Sequence, residues 1–189
     1  MKKISKKPST LIYPAPAVLV SCGNNTENYN IITIAWTGTI NSIPPMCYIS
    51  VRKERHSYHI LKENMEFVIN YSTKNLVRAT DFCGRKSGKD VNKFNEMKLT
   101  AQAGEKVKAP IILESPVNIE CKVKDIIELG SHDMFIAEVV NIQVSENYVD
   151  ESNNGLKIKY NELITYVNGK YIGLDEIIEQ PGFSIRNNE

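Results

Sequence analysis

The strongest constraint on the fold is the spacing of two apolar runs. Tyr29–Trp36 and Met46–Arg52 are rich in Ile, Val, Tyr and Thr, and only the segment Thr37–Pro45 joins them. A parallel pair of strands needs a crossover of about a dozen residues or more, usually a helix. The two runs are therefore expected to pair antiparallel or to meet at a barrel corner.

The same logic runs along the chain. Ala17–Ser21 reads as a buried strand, followed by a polar turn cluster at Gly23–Asn28. Ser57–Asn64 has Tyr58, Ile60 and Leu61 on one side, with Ser57 as the expected N-cap of a short helix. Glu66–Tyr71 returns to strand. A second helix is expected over Asn75–Cys83, capped by Ser72 or Thr73 and stopped by Gly84. Gly84–Phe94 reads as a basic loop and Asn95–Pro110 as irregular. Asn118–Ile127 and Met134–Val144 alternate as strands around a turn at Gly130–Asp133, and Asn168-Gly169 marks a closing hairpin over Leu163–Tyr171. Many strands, two short helices and antiparallel connections point to a mainly β barrel with helical decoration. Neither a βαβ alternation nor a G-x-G-x-x-G run is present, which disfavours a Rossmann sheet.

Composition excludes several classes of function. A net charge of +1 provides no overall attraction for nucleic acid, and 42% hydrophobic with 24% charged residues fits a soluble globular chain. Cys22, Cys47, Cys83 and Cys121 lie far apart with no C-x-x-C, so neither a metal site nor a disulfide framework is expected. Buried free thiols in a reducing cytoplasm are the simpler reading. Leu19-Val20-Ser21-Cys22 superficially resembles a lipoprotein cleavage site, but Pro14 and Pro16 interrupt the apolar stretch that such a signal requires. No run approaches transmembrane length.

The chemistry-bearing residues gather around the opening runs. Ser50 and Arg52 share one face of a strand, a hydroxyl beside a guanidinium, and suit a phosphate or carboxylate. Arg55, His56 and Ser57 follow at an expected helix start, whose open N–H groups favour an anion. Arg85, Lys86, Ser87 and Lys89 around Gly84 and Gly88 have the composition of a phosphate cradle without Walker A spacing. Trp36 precedes Thr37-Gly38-Thr39, small residues that let a planar ring approach the backbone. Cys83 is the thiol expected nearest such a ligand. His132 is read as a turn residue beside a strand. Paired carboxylates, a Ser-His-Asp arrangement and G-x-S-x-G are all lacking.

Taken together, residues 30–38, 44–45, 48–58, 67–70, 83–94, 108–110 and 130–139 resemble, in order, the flavin reductase-like family of FMN-binding split barrels that includes the flavoredoxins. The resemblance implies one domain over residues 1–189, with a basic tail at 1–11 and a C-terminal tail at 176–189. It implies a six-stranded Greek-key-like barrel with short flanking helices, forming a cytoplasmic homodimer that holds FMN noncovalently near the subunit interface. Ala35, Trp36 and Thr37 would line the ring and ribityl chain, and Ser50, Val51 and Arg52 the ribityl and phosphate. His56 and Ser57 would add phosphate contacts, while Ser87, Gly88 and Lys89 would close over the ligand. His132 matches the family's Gly-Asp-His turn, with Ser131 in place of the Asp, and is the candidate nicotinamide-side contact.

Two activities follow from the resemblance. One is hydride transfer from NADH or NADPH to flavin N5, as in an NAD(P)H:FMN oxidoreductase that hands reduced flavin to another protein. The other is electron transfer of the flavoredoxin kind, with a protein partner as donor. In both, the cofactor carries the chemistry and the protein orients it, so no catalytic dyad is expected. A barrel that binds oligonucleotides or another ligand without redox chemistry is the third reading. The near-neutral charge and the lack of an aromatic-basic stripe count against nucleic acid.

Overall fold

The computed structural model describes residues 1–153 and 155–185. The expected C-terminal tail falls partly outside this range, at 186–189. The strands, in chain order, are β1 (Ala15–Pro16), β2 (Val18–Cys22), β3 (Asn30–Ile34), β4 (Thr37–Ser42), β5 (Pro45–Arg52), β6 (Glu66–Asn70), β7 (Ala101–Ala103), β8 (Pro110–Ile112), β9 (Val117–Glu128), β10 (His132–Val144), β11 (Val149–Asp150), β12 (Gly155–Leu156), β13 (Ile164–Val167) and β14 (Lys170–Gly173). The α-helices are α1 (His56–Asn64), α2 (Val77–Arg85) and α3 (Lys93–Met97).

Seven strands form the main sheet in the order β3-β2-β6-β9-β10-β5-β4, and the pairs along it are antiparallel. The two ends of that order, β3 and β4, are consecutive in the chain and separated only by Ala35 and Trp36. One bent run thus pairs with β2 through its first half and with β5 through its second, which closes the sheet into a split barrel. Counted as a single strand, this run makes the six-stranded barrel that the family resemblance implies.

The expected linker Thr37–Pro45 is therefore mostly strand β4, and Trp36 sits at the break. Thr37 and Thr39 suit a pleated edge, so the hairpin turn shrinks to the residues around Ile43 and Pro44.

The interior follows from period-two alternation. On β5, Cys47, Ile49 and Val51 point inward and pack with Val20, Phe67, Cys121 and Phe135, while Ser50 and Arg52 face out. β2 is buried on both faces. Val18, Val20 and Cys22 enter the barrel, while Leu19 packs under α2 and α3 with Ile31, Cys83 and Phe94.

The helices differ from the sequence-based expectation at their ends. α1 begins at His56 with Arg55 as N-cap and no side-chain cap, so Ser57 lies one residue inside the helix. A 3₁₀ turn at Lys74–Leu76 precedes α2, and Gly84 lies within α2 where a Cβ would sit 3.2 Å from Thr33. Close approach to β3 explains this glycine better than helix termination does. α3 was not expected. Its short apolar face (Phe94 with Met97) is anchored by the Asn92 side chain, which accepts from the Asn95 N–H at 3.1 Å. The closing hairpin forms as expected, with Asn168 and Gly169 both at positive φ (47° and 81°) between β13 and β14.

Candidate functional site

Three cavities run along the outer face of β5 and join through shared residues. The first, about 340 Å³, lies between the start of α1 and the loop after α2. Arg52, Arg55, Lys86 and Lys93 line it, along with His56 and Ser57, and Glu54 is its one acidic residue. The second, about 170 Å³, shares Ile32, Arg52 and Arg55 with the first and adds Ala35, Trp36, Ser50 and His132. The third, about 520 Å³, shares Ala35, Trp36 and Ser50 and lies against the N-terminal segment.

The anionic preference of the first cavity is built in. α1 has neither an acidic residue in its first turn nor a side-chain cap, and its opening residues Arg55, His56 and Ser57 line the cavity, where a helix start favours an anion. Ser57 is buried, and its hydroxyl accepts from the Asn30 amide at 2.8 Å. Across the cavity the loop comes so close that a Cβ on Gly88 would collide with the Asn30 amide. Only glycine fits that approach without displacing Asn30.

Lys93 gives no signal in the sequence, where a lysine in a polar loop reads as solvated surface. It is buried and lines the first cavity, donating to the Ile31 carbonyl at 2.7 Å and the Cys83 carbonyl at 2.8 Å. Burial pushes its pKa down. Its hydrogen-bond partners are neutral, so the cavity holds a cation that an anion can offset.

Arg52 is half-exposed and bridges to Glu54 at 3.1 Å. Its register partner on β10 is His132. His132 is the first residue of β10 and not a turn residue. Its ring lies 4.5 Å from the Trp36 indole with planes tilted 38°, and Ser131 Oγ stands 2.9 Å from Nδ1. Partial burial, then the Arg52 charge, lower the His132 pKa. Next to it, the fully buried Asp133 carboxylate accepts from Tyr58 on α1 at 2.6 Å, tying the helix to β10. Burial raises the Asp133 pKa, but the Tyr58 hydroxyl and the Lys53 ammonium outweigh that effect and hold it below the usual range.

Most of the candidate residues converge. Ala35, Trp36, Thr37, Ser50, Arg52, His56, Ser57, Cys83, Ser87, Gly88 and His132 all line one of the three cavities. Val51 does not, because its side chain is buried in the barrel core, leaving only its backbone near the groove. Lys89 faces an adjoining polar cavity with Asp90, His56 and Gly88. Cys83 borders the first cavity, but burial pushes its thiol up to about 11, and that of Cys22 to about 12, so neither is a ready thiolate. Among the described residues no group of three His, Cys, Asp or Glu could hold a metal ion.

The donor set of the first cavity fits a phosphate, and the small residues and aromatic wall of the second fit a planar ring. The flavin reductase like domain profile matches residues 10–175. Flavoredoxin of Desulfovibrio vulgaris (Miyazaki F) is similar over 98% of this chain and 100% of that one, at 31% identity with a TM-score of 0.87. Flavoredoxin from Methanosarcina acetivorans matches the same shares at 26% identity with a TM-score of 0.88. An FMN-binding protein from Thermus thermophilus, at 20% identity over 96% of this chain and 98% of that one, shares the fold with a TM-score of 0.80.

Proposed function

The chain belongs to the flavin reductase-like family, and we propose that it is an FMN-binding oxidoreductase of one domain. The observation that carries this reading is a continuous groove whose cationic end adjoins a wall formed by Ala35, Trp36 and Ser50. Arg52, Arg55, Lys93 and the start of α1 would hold the phosphate. Gly88 and Ser87 would close over it, and Trp36 would flank the ring. The family likeness to flavoredoxins supports flavin over other phosphorylated ligands.

When bound, FMN supplies hydride and single-electron chemistry that side chains lack. The chain's own residues bind, orient and shield. The cationic cavity fixes the phosphate end, the uncapped helix adds a directional field, and the Trp36–His132 pair bounds the exposed edge. Hydride transfer from a nicotinamide needs close stacking more than a protein acid or base. His132, held with a lowered pKa, is neutral at neutral pH and presents an imidazole to a co-substrate there.

NADH or NADPH is the proposed reductant, with a flavoredoxin-type protein donor as the second reading, favoured by the likeness to flavoredoxins. A homodimer accords with Ile40 and Ile43, two large apolar side chains that the β4–β5 hairpin leaves exposed. No helix among the described residues is long and apolar enough to cross a membrane. Anaerobic titration of the FMN-loaded protein decides between the donors. Bleaching of the flavin band by NADH or NADPH supports the reductase. Bleaching by dithionite alone supports the protein-donor reading.

A further inference from the structure

Arg55, His56 and Ser57, which line the first cavity, belong to one short corner of the chain between Lys53 and Tyr58. A single carboxylate touches both ends of that corner. Asp133 Oδ2 accepts from the Tyr58 hydroxyl at 2.6 Å. Its Oδ1 has no hydrogen-bond partner among the described residues and faces the Lys53 ammonium at 3.4 Å. Asp133 is fully buried, and the Tyr58 ring is held edge-on to Phe135 with centroids 5.7 Å apart. Across the β10–β5 register Asp133 stands opposite Val51, between Ser50 and Arg52. The carboxylate is thus fixed to the strand pair that carries Arg52 and His132, and it holds the corner that carries Arg55.

Electrostatics alone gives no reason for an aspartate here. Burying a carboxylate is costly, and one phenol and one half-exposed lysine offset that cost incompletely. A negative charge behind a cationic cavity also opposes an anion in it. What the carboxylate supplies is position. We propose that Asp133 is a positioning residue for phosphate recognition, holding Lys53 and Tyr58 so that the corner between them and the start of α1 line the first cavity. The identity of the phosphate's carrier rests on the flavin reading, whereas the positioning of an anion site does not.

The two roles differ in sign, which makes them separable. If only the charge mattered, Asp133→Ala would bind FMN more tightly than the wild type. Positioning predicts the reverse. FMN and riboflavin are titrated into flavin-free full-length protein carrying Asp133→Ala, Asp133→Asn or Tyr58→Phe. Asp133→Ala and Tyr58→Phe are expected to weaken FMN about tenfold and to leave riboflavin unchanged, as displacement of a charge-assisted phosphate contact requires. Asp133→Asn keeps an acceptor for the phenol and is expected to recover most of that loss. Tyr58→Phe retains the ring against Phe135, so it carries the test where Asp133→Ala does not fold.

FMN affinity unchanged or raised in both Asp133→Ala and Tyr58→Phe overturns the proposal. So does an equal loss of FMN and riboflavin, which marks a general disturbance of the groove. Where the wild type takes neither flavin, the flavin reading fails, and inorganic phosphate followed by phosphorus NMR replaces FMN as the probe. Phosphate binding that Tyr58→Phe abolishes then keeps the positioning role. Phosphate binding that survives in Tyr58→Phe, or is lacking in the wild type, removes it.

Discussion

The Ser50 backbone N–H donates to the Trp36 carbonyl at 2.9 Å, across the seam where β3 ends and β4 begins. This bond holds the break in the bent strand against the centre of β5. It puts the indole next to the strand that carries Ser50 and Arg52, so the same contact closes the barrel and assembles the groove.

Trp36 is 40% exposed and has little part in the core. Trp36→Ala is therefore expected to lower the melting temperature only slightly. It should weaken FMN and riboflavin by similar factors, up to about tenfold, as the loss of an aromatic wall predicts. Flavin fluorescence titrations check this, and a loss confined to FMN would move Trp36 away from the ring.

Arg55 lines both the first and second cavities, at the open end of α1. A hydrogen bond to a charged group is worth about 1.5–3 kcal/mol, so Arg55→Ala should weaken FMN by about ten- to a hundredfold. Riboflavin, which lacks the phosphate, should bind the variant as it binds the wild type. Parallel titrations with the two ligands separate a phosphate contact from a general disturbance of the site.

A methyl group at position 88 has no room beside Asn30. Gly88→Ala should push the loop or Asn30 aside, disturb the bond from Asn30 to Ser57 and reduce FMN affinity about tenfold, within the usual cost of a local steric change. The melting temperature should fall modestly as well, because Asn30 and its partner Ser57 are buried. Pairing Gly88→Ala with Asn30→Ala should recover part of the loss if the clash is the cause.

Burial first, and then the Arg52 charge, hold the His132 pKa below its ordinary 6.5. The unfolded chain thus takes up the proton before the folded one does. Any stability tied to neutral His132 is fully present above pH 6.5 and is lost as pH falls through the lower folded value. NMR titration of the imidazole should find a midpoint below 6.5 in the wild type and a higher one in Arg52→Ala. An unmoved midpoint in that variant would dissociate the two side chains.

Much of the fold can be read from alternation alone, because barrel strands are buried on one face and declare it residue by residue. Ser50 and Arg52 face out while Ile49 and Val51 face in, as the period demands. Alternation gives no sign of a strand that changes partners, so Thr37–Ser42 reads as a linker until its pairing with β5 is seen. The site is legible where its residues cluster in sequence, at 50–57 and 83–88. Lys93 and Asn30 are silent, because their roles depend on burial and on a close approach across the fold. Val51 lies between two residues that line the groove, but its own side chain is in the barrel core.

The account stands on a cationic cavity that recognises the phosphate of a flavin. Titrating flavin-free protein with FMN and with riboflavin tests it most directly. The account predicts saturable FMN binding at one per chain, tighter than riboflavin by about ten- to a hundredfold, the range for a charge-assisted phosphate contact. Equal affinity for the two, or no saturable binding of FMN, would contradict it.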